Sequence, residues 1–449
     1  MSAREKASTL FDLWKEFLPL SVSDVTMACG DPMITTTLAR MPQATANLGA
    51  LGAVKAIAVF FESPVIMLLH ASNTLAPSQT SRKSLYQFML ILCGLLTSIL
   101  CLLCIPPVFD FFVGIAMKLP PDIKDGAKES LVFFILWPAA IGWRRYYQGL
   151  LIRGNHTRAL AHAGFVRLLV VGIVLAIGFF LNMRGILLAA TALISGVLFE
   201  SVVVTVSARN SGATKLPVLV RDPRLPGSLK EVWRFYWPLA NSMLVVWGGR
   251  VLLLAVVARS FDASIALAAW PAAWGFVLMV ANATRMIQQV IIKNINKVDD
   301  KLLLTFAASV GALFTLILIF FSATTLGKHA LSAFVGQNSV LADAVSQVIL
   351  VCSTVPFLVA CQNAVQGFLM TEHKTTHINV ATWLGTGVLL SVAFIGTRAG
   401  ISGATAAAWA MIMALAVEAA WLSHCLRPIF SARKNAIPRA EIQDEGVCI

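Results

Sequence analysis

Apolar runs of roughly twenty residues recur along the whole chain, and no other feature restricts its fold as strongly. A helix needs about 20 residues to cross a hydrocarbon core of about 30 Å. Backbone groups inside lipid must be satisfied within the spanning structure, which leaves helices or closed barrels. The 449 residues are 58% hydrophobic and 13% charged, with a mean hydropathy of +0.78, outside the range of soluble domains. The chain reads as an all-α polytopic membrane protein. Its start, MSAREKASTLFDLWKE, is charged and amphipathic and lacks a signal peptide's apolar stretch and cleavage site, so the first spanning helix is expected to direct insertion.

Twelve spans are expected, at 17–39, 48–75, 85–108, 128–151, 163–181, 185–207, 235–258, 265–290, 302–322, 343–369, 377–396 and 401–422. With the N-terminus in the cytoplasm, twenty Lys and Arg residues fall on that side, from Arg4 to Arg439, against eight on the other, from Arg40 to Arg398. That bias places both termini inside. Anionic lipid headgroups account for most of the +13 net charge, which therefore needs no nucleic acid. A bacterial inner membrane is the expected location and a monomer the expected state.

Most of the eight cysteines, Cys93, Cys101, Cys104, Cys352 and Cys361 among them, lie inside expected spans without zinc-ligand spacing, and read as small apolar packing residues. No Gly-rich phosphate loop, HExxH or GxSxG is present. Neither an enzyme nor a cofactor is expected, and a membrane-embedded transferase is the least favoured reading.

An internal repeat organises the chain. WKEFLPL at Trp14 to Leu20 matches WRFYWPL at Trp233 to Leu239, and QGLLI at Gln148 to Ile152 matches QGFLM at Gln366 to Met370. Gly185 and Glu200 fall on Gly403 and Glu418, all at an offset of 218 to 219 residues. Each half holds an even number of spans, so the halves share one orientation and are related by a pseudo-twofold axis along the membrane normal. The expected organisation is an N-terminal six-helix bundle at 1–207, a Pro-, Gly- and Lys/Arg-rich cytoplasmic linker at 208–230, a C-terminal bundle at 231–426 and a cytoplasmic tail at 427–449. Two parallel bundles with a linker are the architecture of a transporter with a cleft between its halves.

Charges inside spans cost roughly 2.5–3.5 kcal/mol each on insertion scales, so each needs a partner, a wet cavity or a function. Asp24 and Asp31 share one face of the first helix, and Lys55 and Glu62 one face of the second. Arg144 and Arg145 lie in the fourth span, Arg250 in the seventh and Arg285 in the eighth. Structural alternatives stand beside each functional role. Lys55 and Glu62 can snorkel or pair with neighbours, one of the two adjacent arginines can lie at an interface, and Asp24 can cap or pair within its bundle. Glu200 and Glu418 read as structural or interfacial, His70 and His373 as solvated or hydrogen-bonded, and Trp270 and Trp274 as packing anchors. Pro32, in GDPMITTTLAR, removes an amide donor and clashes with the preceding turn, so the first helix is expected to bend beside Asp31. Asp31 and Arg250 fall at equivalent repeat positions; they are expected to pair directly or through one neighbour in one access state, the alternative being that each is neutralised inside its own bundle.

The halves resemble the MOP flippase superfamily, which includes the MATE exporters and lipid-linked sugar flippases. Within it the chain is most similar to the progressive ankylosis (ANKH) family. The likeness is carried by FLPLSVSDVTMACGDP with Gly30 and Asp31, by AVFFESPV, by FYWPLA followed by Arg250 and Arg259, and more loosely by Trp270 with Arg285. Glu62 departs from the animal pattern, which is uncharged there. The resemblance implies a MATE-like fold and export of polyanions such as ATP, citrate and pyrophosphate. It also implies a cation or proton site at the bending first helix, at Asp31 or Asp24. The expected function is a secondary transporter of an anionic small solute, with a flippase for a lipid-linked anionic saccharide as the alternative. Lys55, Arg144, Arg145, Arg250 and Arg285 are the expected anion contacts, because Arg offers paired donors to carboxylate or phosphate. Asp24, Asp31, Glu62 and Pro32 are expected in ion coupling or gating, with H+ or Na+ as the ion and membrane lipids as the surroundings.

Overall fold

The computed structural model describes residues 9–75, 78–115, 117–154, 156–215, 220, 225–295, 298–336, 339–371 and 376–444. All regular structure among the described residues is helical. Among the described residues, nine stretches are long and apolar enough to cross a membrane: those at 44–73, 79–103, 158–180, 185–210, 263–292, 300–323, 339–369, 376–398 and 403–428.

The expected spans fall on helical stretches, although the structure does not deliver them as twelve unbroken helices. The first is divided into α1 (Leu10–Ala28) and α2 (Gly30–Leu38), and the second into α3 (Ala44–Ile66) and α4 (Leu68–Leu75). Next come α5 (Gln79–Leu103), the short α6 (Pro106–Phe109), α7 (Pro121–Leu131), α8 (Trp137–Arg153), α9 (Thr157–Phe180) and α10 (Gly185–Asn210). After α10 follow α11 (Leu229–Val257), α12 (Ala263–Ala281), α13 (Ile287–Asn294), α14 (Asp300–Ala323), α15 (Thr325–Val335), α16 (Ser339–Val351), α17 (Val355–Thr371), α18 (Thr376–Arg398) and α19 (Gly403–Asp444).

Proline explains several of the breaks. Pro138 and Pro356 each stand second in their helices, α8 and α17, and a 3-10 turn precedes each, at Val132–Phe134 and Cys352–Thr354. A proline ring excludes the carbonyl four residues earlier and supplies no amide, so an α-helix running into it tightens or stops. Pro32 acts in the same way on the first helix. α1 stops at Ala28, four residues before it, and α2 resumes at Gly30 with Asp31 in its first turn, where a helix dipole favours an acid.

One apolar cluster joins helices from both ends of the sequence, and a smaller one seats Leu13 and Phe17 of α1 against Ile291, Phe306 and Phe368. Phe17 and Phe306 meet edge to face at 5.6 Å, and Trp14 donates its indole N–H to Ser309 Oγ at 3.2 Å. Small residues let α3 and α12 approach closely: a β-carbon on Gly52 would overlap the ring of Pro271. Leu95, Phe165, Ile173 and Leu316 face outward, as lipid contact requires.

Candidate binding cavity

The close α3–α12 crossing forms one wall of a cavity of about 200 Å³. It collects Asp31 from α2, Lys55 from α3, Trp247 and Arg250 from α11, and Trp270 and Trp274 from α12. Trp247 and Arg250 stand three residues apart on one helix face, and Trp270 and Trp274 four apart on another. The second pair is stacked, with ring centroids 5.3 Å apart and planes 20° apart. The Arg250 guanidinium lies 4.3 Å from the Trp247 ring centroid and 5.7 Å from that of Trp274, so aromatic faces hold it. Trp270 and Trp274 thus line the cavity as well as packing.

Asp31 pairs with Lys55 rather than with Arg250, at 2.5 Å between Oδ2 and Nζ. The Lys55 charge is compensated at close range. Arg250 has no carboxylate of the described residues within ion-pair distance. Two cations and one carboxylate leave the cavity positive, with the uncompensated cation at Arg250. A planar guanidinium held by rings keeps its donor edge for carboxylate or phosphate oxygens.

Arg144 and Arg145 lie elsewhere. Arg144 is buried and ion-paired to Glu200, whose carboxylate also receives Arg167 Nη1 at 3.4 Å and the Gln148 amide at 3.3 Å. Arg145 donates to Gln148 Oε1 at 3.4 Å. Glu62 accepts the Trp137 indole N–H at 2.8 Å. Arg285 is exposed in the 3-10 turn Asn282–Met286. Pro32 borders an open, largely apolar groove with Met33, Thr36 and Arg40. The Asp24 side chain lies outside the described residues, as does all of His373. Of the expected charged residues, the structure brings Lys55, Arg250 and Asp31 together.

Sequence reasoning missed Arg167 and the Trp247 platform. Arg167 sits in an otherwise apolar span, and its spacing of 33 residues from Glu200 means nothing until α9 and α10 are known to pack together. The Trp247–Arg250 spacing was visible, but a tryptophan in a span reads first as a lipid anchor.

No protein-family model and no curated protein sequence matches the chain. Solved structures do. An inward-facing MATE-family multidrug-resistance transporter of the MOP superfamily superposes with a TM-score of 0.73 at 14% identity, over 92% of this chain and 96% of that one. The lipid II flippase MurJ, in an inward closed conformation, gives 0.67 at 13% identity over 91% and 87%. A MOP-superfamily transporter from Pyrococcus furiosus, described as having a binding pocket of reversed polarity, gives 0.60 at 15% identity over 96% and 100%. The chain is therefore a multi-pass helical membrane protein with the fold shared by MATE transporters and the MurJ flippase.

Proposed function

We propose that this protein is a secondary transporter that exports an anionic small solute by alternating access between two six-helix bundles, residues 1–207 and 231–426, joined by a linker at 208–230. Twelve membrane crossings, cytoplasmic termini, a monomeric state and a bacterial inner membrane complete the proposal, as does a place close to the ANKH family within the MOP superfamily. The observation that carries it is Arg250, stacked between Trp247 and Trp274 in a cavity that also holds Lys55 and Asp31. α2 and α3 come from one half of the sequence, α11 and α12 from the other, so rocking of the halves opens and closes that cavity. Incoming anion displaces Asp31 from Lys55 and engages Arg250. Asp31, beside the helix break at Cys29, is then free to take H+ or Na+.

The flippase alternative draws on a separate feature, the apolar groove beside α2 with Arg40 on its border. A lipid-linked anion would lay its chain there and its headgroup in the cavity. Thermal stabilisation of the purified protein separates the two. A soluble polyanion such as pyrophosphate or citrate should raise the unfolding midpoint of wild type, and Arg250→Gln should abolish the rise. Stabilisation by an anionic isoprenoid-linked sugar alone would favour the flippase.

A further inference from the structure

Glu200 of α10 and Glu418 of α19 stand at the same distance from the glycines that open their helices, Gly185 and Gly403. Their partners come from matching positions. Arg144 lies 56 residues before Glu200, and Gln362 lies 56 residues before Glu418; each donates to its glutamate. Arg167 lies 33 residues before Glu200 and completes its charge balance. The residue at that spacing from Glu418 is Gly385, packed so closely that a β-carbon on it would overlap the Glu418 carboxylate. The two sites are one design, and in the second both guanidiniums are missing.

The surroundings of Glu418 supply no replacement. α17 offers the Gln362 amide, with the Cys361 thiol beside it; α12 has no titratable side chain; and α16 has only Asp343, which is exposed. The 3-10 turn Cys352–Thr354 adds the buried Cys352 thiol. α18 carries His377 near one end, 3.6 Å from Cys425 Sγ, and Arg398 at the other. α19 itself adds His424 and Arg427 beyond Glu418. Arg250 of α11 follows Gly249, which packs against Thr386 of α18, the residue after Gly385, and it makes no ion pair with Glu418. Among the described residues no Lys or Arg lies within ion-pair distance of this carboxylate. Glu418 is half-buried; a carboxylate shielded from water without a cation partner is costly in its charged form, and a bound proton removes that cost.

We propose that Glu418 is a proton-binding site, anchored by Gln362 and seated against Gly385, and that Arg250 links it to the cavity. The link, though not the proton site, rests on the anion-transport reading. Arg250 lines the cavity, as does Met411 of α19. An anion on Arg250 cancels the positive potential that favours ionised Glu418, so anion binding draws in a proton. By reciprocity, a proton on Glu418 tightens anion binding.

Infrared difference spectra of the full chain in liposomes, acid minus alkaline, report carboxyl protonation directly. Wild type should show a protonated-carboxyl band that Glu418→Gln loses, Glu418→Asp keeps at a shifted frequency and Glu200→Gln leaves in place. A band unchanged in Glu418→Gln overturns the site. If that variant fails to fold, Gln362→Leu retains the carboxyl and removes its anchor; the band should then shift, and an unshifted band overturns the proposal. Pyrophosphate is the probe for the link. Its binding should take up protons in wild type and lose that uptake in Glu418→Gln; uptake that persists in the variant overturns the link. A wild type that shows the band yet binds no pyrophosphate retains the proton site and rejects the anion reading.

Discussion

Arg250 and Arg144 are both arginines on apolar helices, and their surroundings differ. Arg250 rests on aromatic faces in a cavity, whereas Arg144 is consumed by a buried pair with Glu200. Arg250→Gln should leave the unfolding midpoint nearly unchanged and weaken polyanion binding by about 1.5–3 kcal/mol, the usual worth of a charged hydrogen bond, read by titration calorimetry. Arg144→Met should act on stability, by about 3–5 kcal/mol, because it strands Glu200. Arg144→Gln should cost less, since Gln362 already satisfies Glu418 in that role. The sequence places both arginines in expected spans, where each needs a partner. Which one had found its partner within the fold depends on contacts across 56 residues, which composition and spacing do not encode.

Helix ends carry the next level of control. Gly336, after α15, has φ +89°, and a β-carbon there would overlap the Ala39 carbonyl at the end of α2. Arg40 donates to the Ala333 carbonyl at 2.6 Å across the same junction. Gly336→Ala should destabilise the protein by about 1–3 kcal/mol through backbone strain and displacement of α2. Gly94→Ala, with nothing within 4 Å, is the matched control and should be neutral or slightly stabilising in thermal unfolding.

At the start of α19, Asp262 accepts the Gly403 amide at 3.0 Å and the Ser402 hydroxyl at 2.6 Å. Burial pushes its carboxyl up, but those hydrogen bonds, with one from Ser260, outweigh it and hold the group below its ordinary range. A lowered carboxyl contributes stability that is complete above its unfolded value of about 3.9 and disappears as pH falls through the folded value. Asp262→Asn should therefore unfold more readily than wild type near neutrality, and the difference should shrink in acid. The break between α1 and α2 was legible because a proline's effect is local. The division of the spans at 128–151 and 343–369 was not read, although Pro138 and Pro356 mark it, because the apolar runs continue through both breaks.

For the whole molecule, the repeat spacing and the bias of basic residues give a topology that labelling can check. Single cysteines introduced at Lys15 and Lys83 should resist an impermeant thiol reagent in intact cells, while one at Lys124 should react; protection at Lys124 would invert the orientation. Solute flux tests the central claim most directly. Wild-type protein in liposomes should move radiolabelled pyrophosphate or citrate across the bilayer, and Arg250→Gln, equally folded and equally incorporated, should reduce that flux at least tenfold, about 1.4 kcal/mol in transition-state terms. Equal anion flux in wild type and variant, or movement of cationic solutes alone, would contradict an anion cavity built around Arg250.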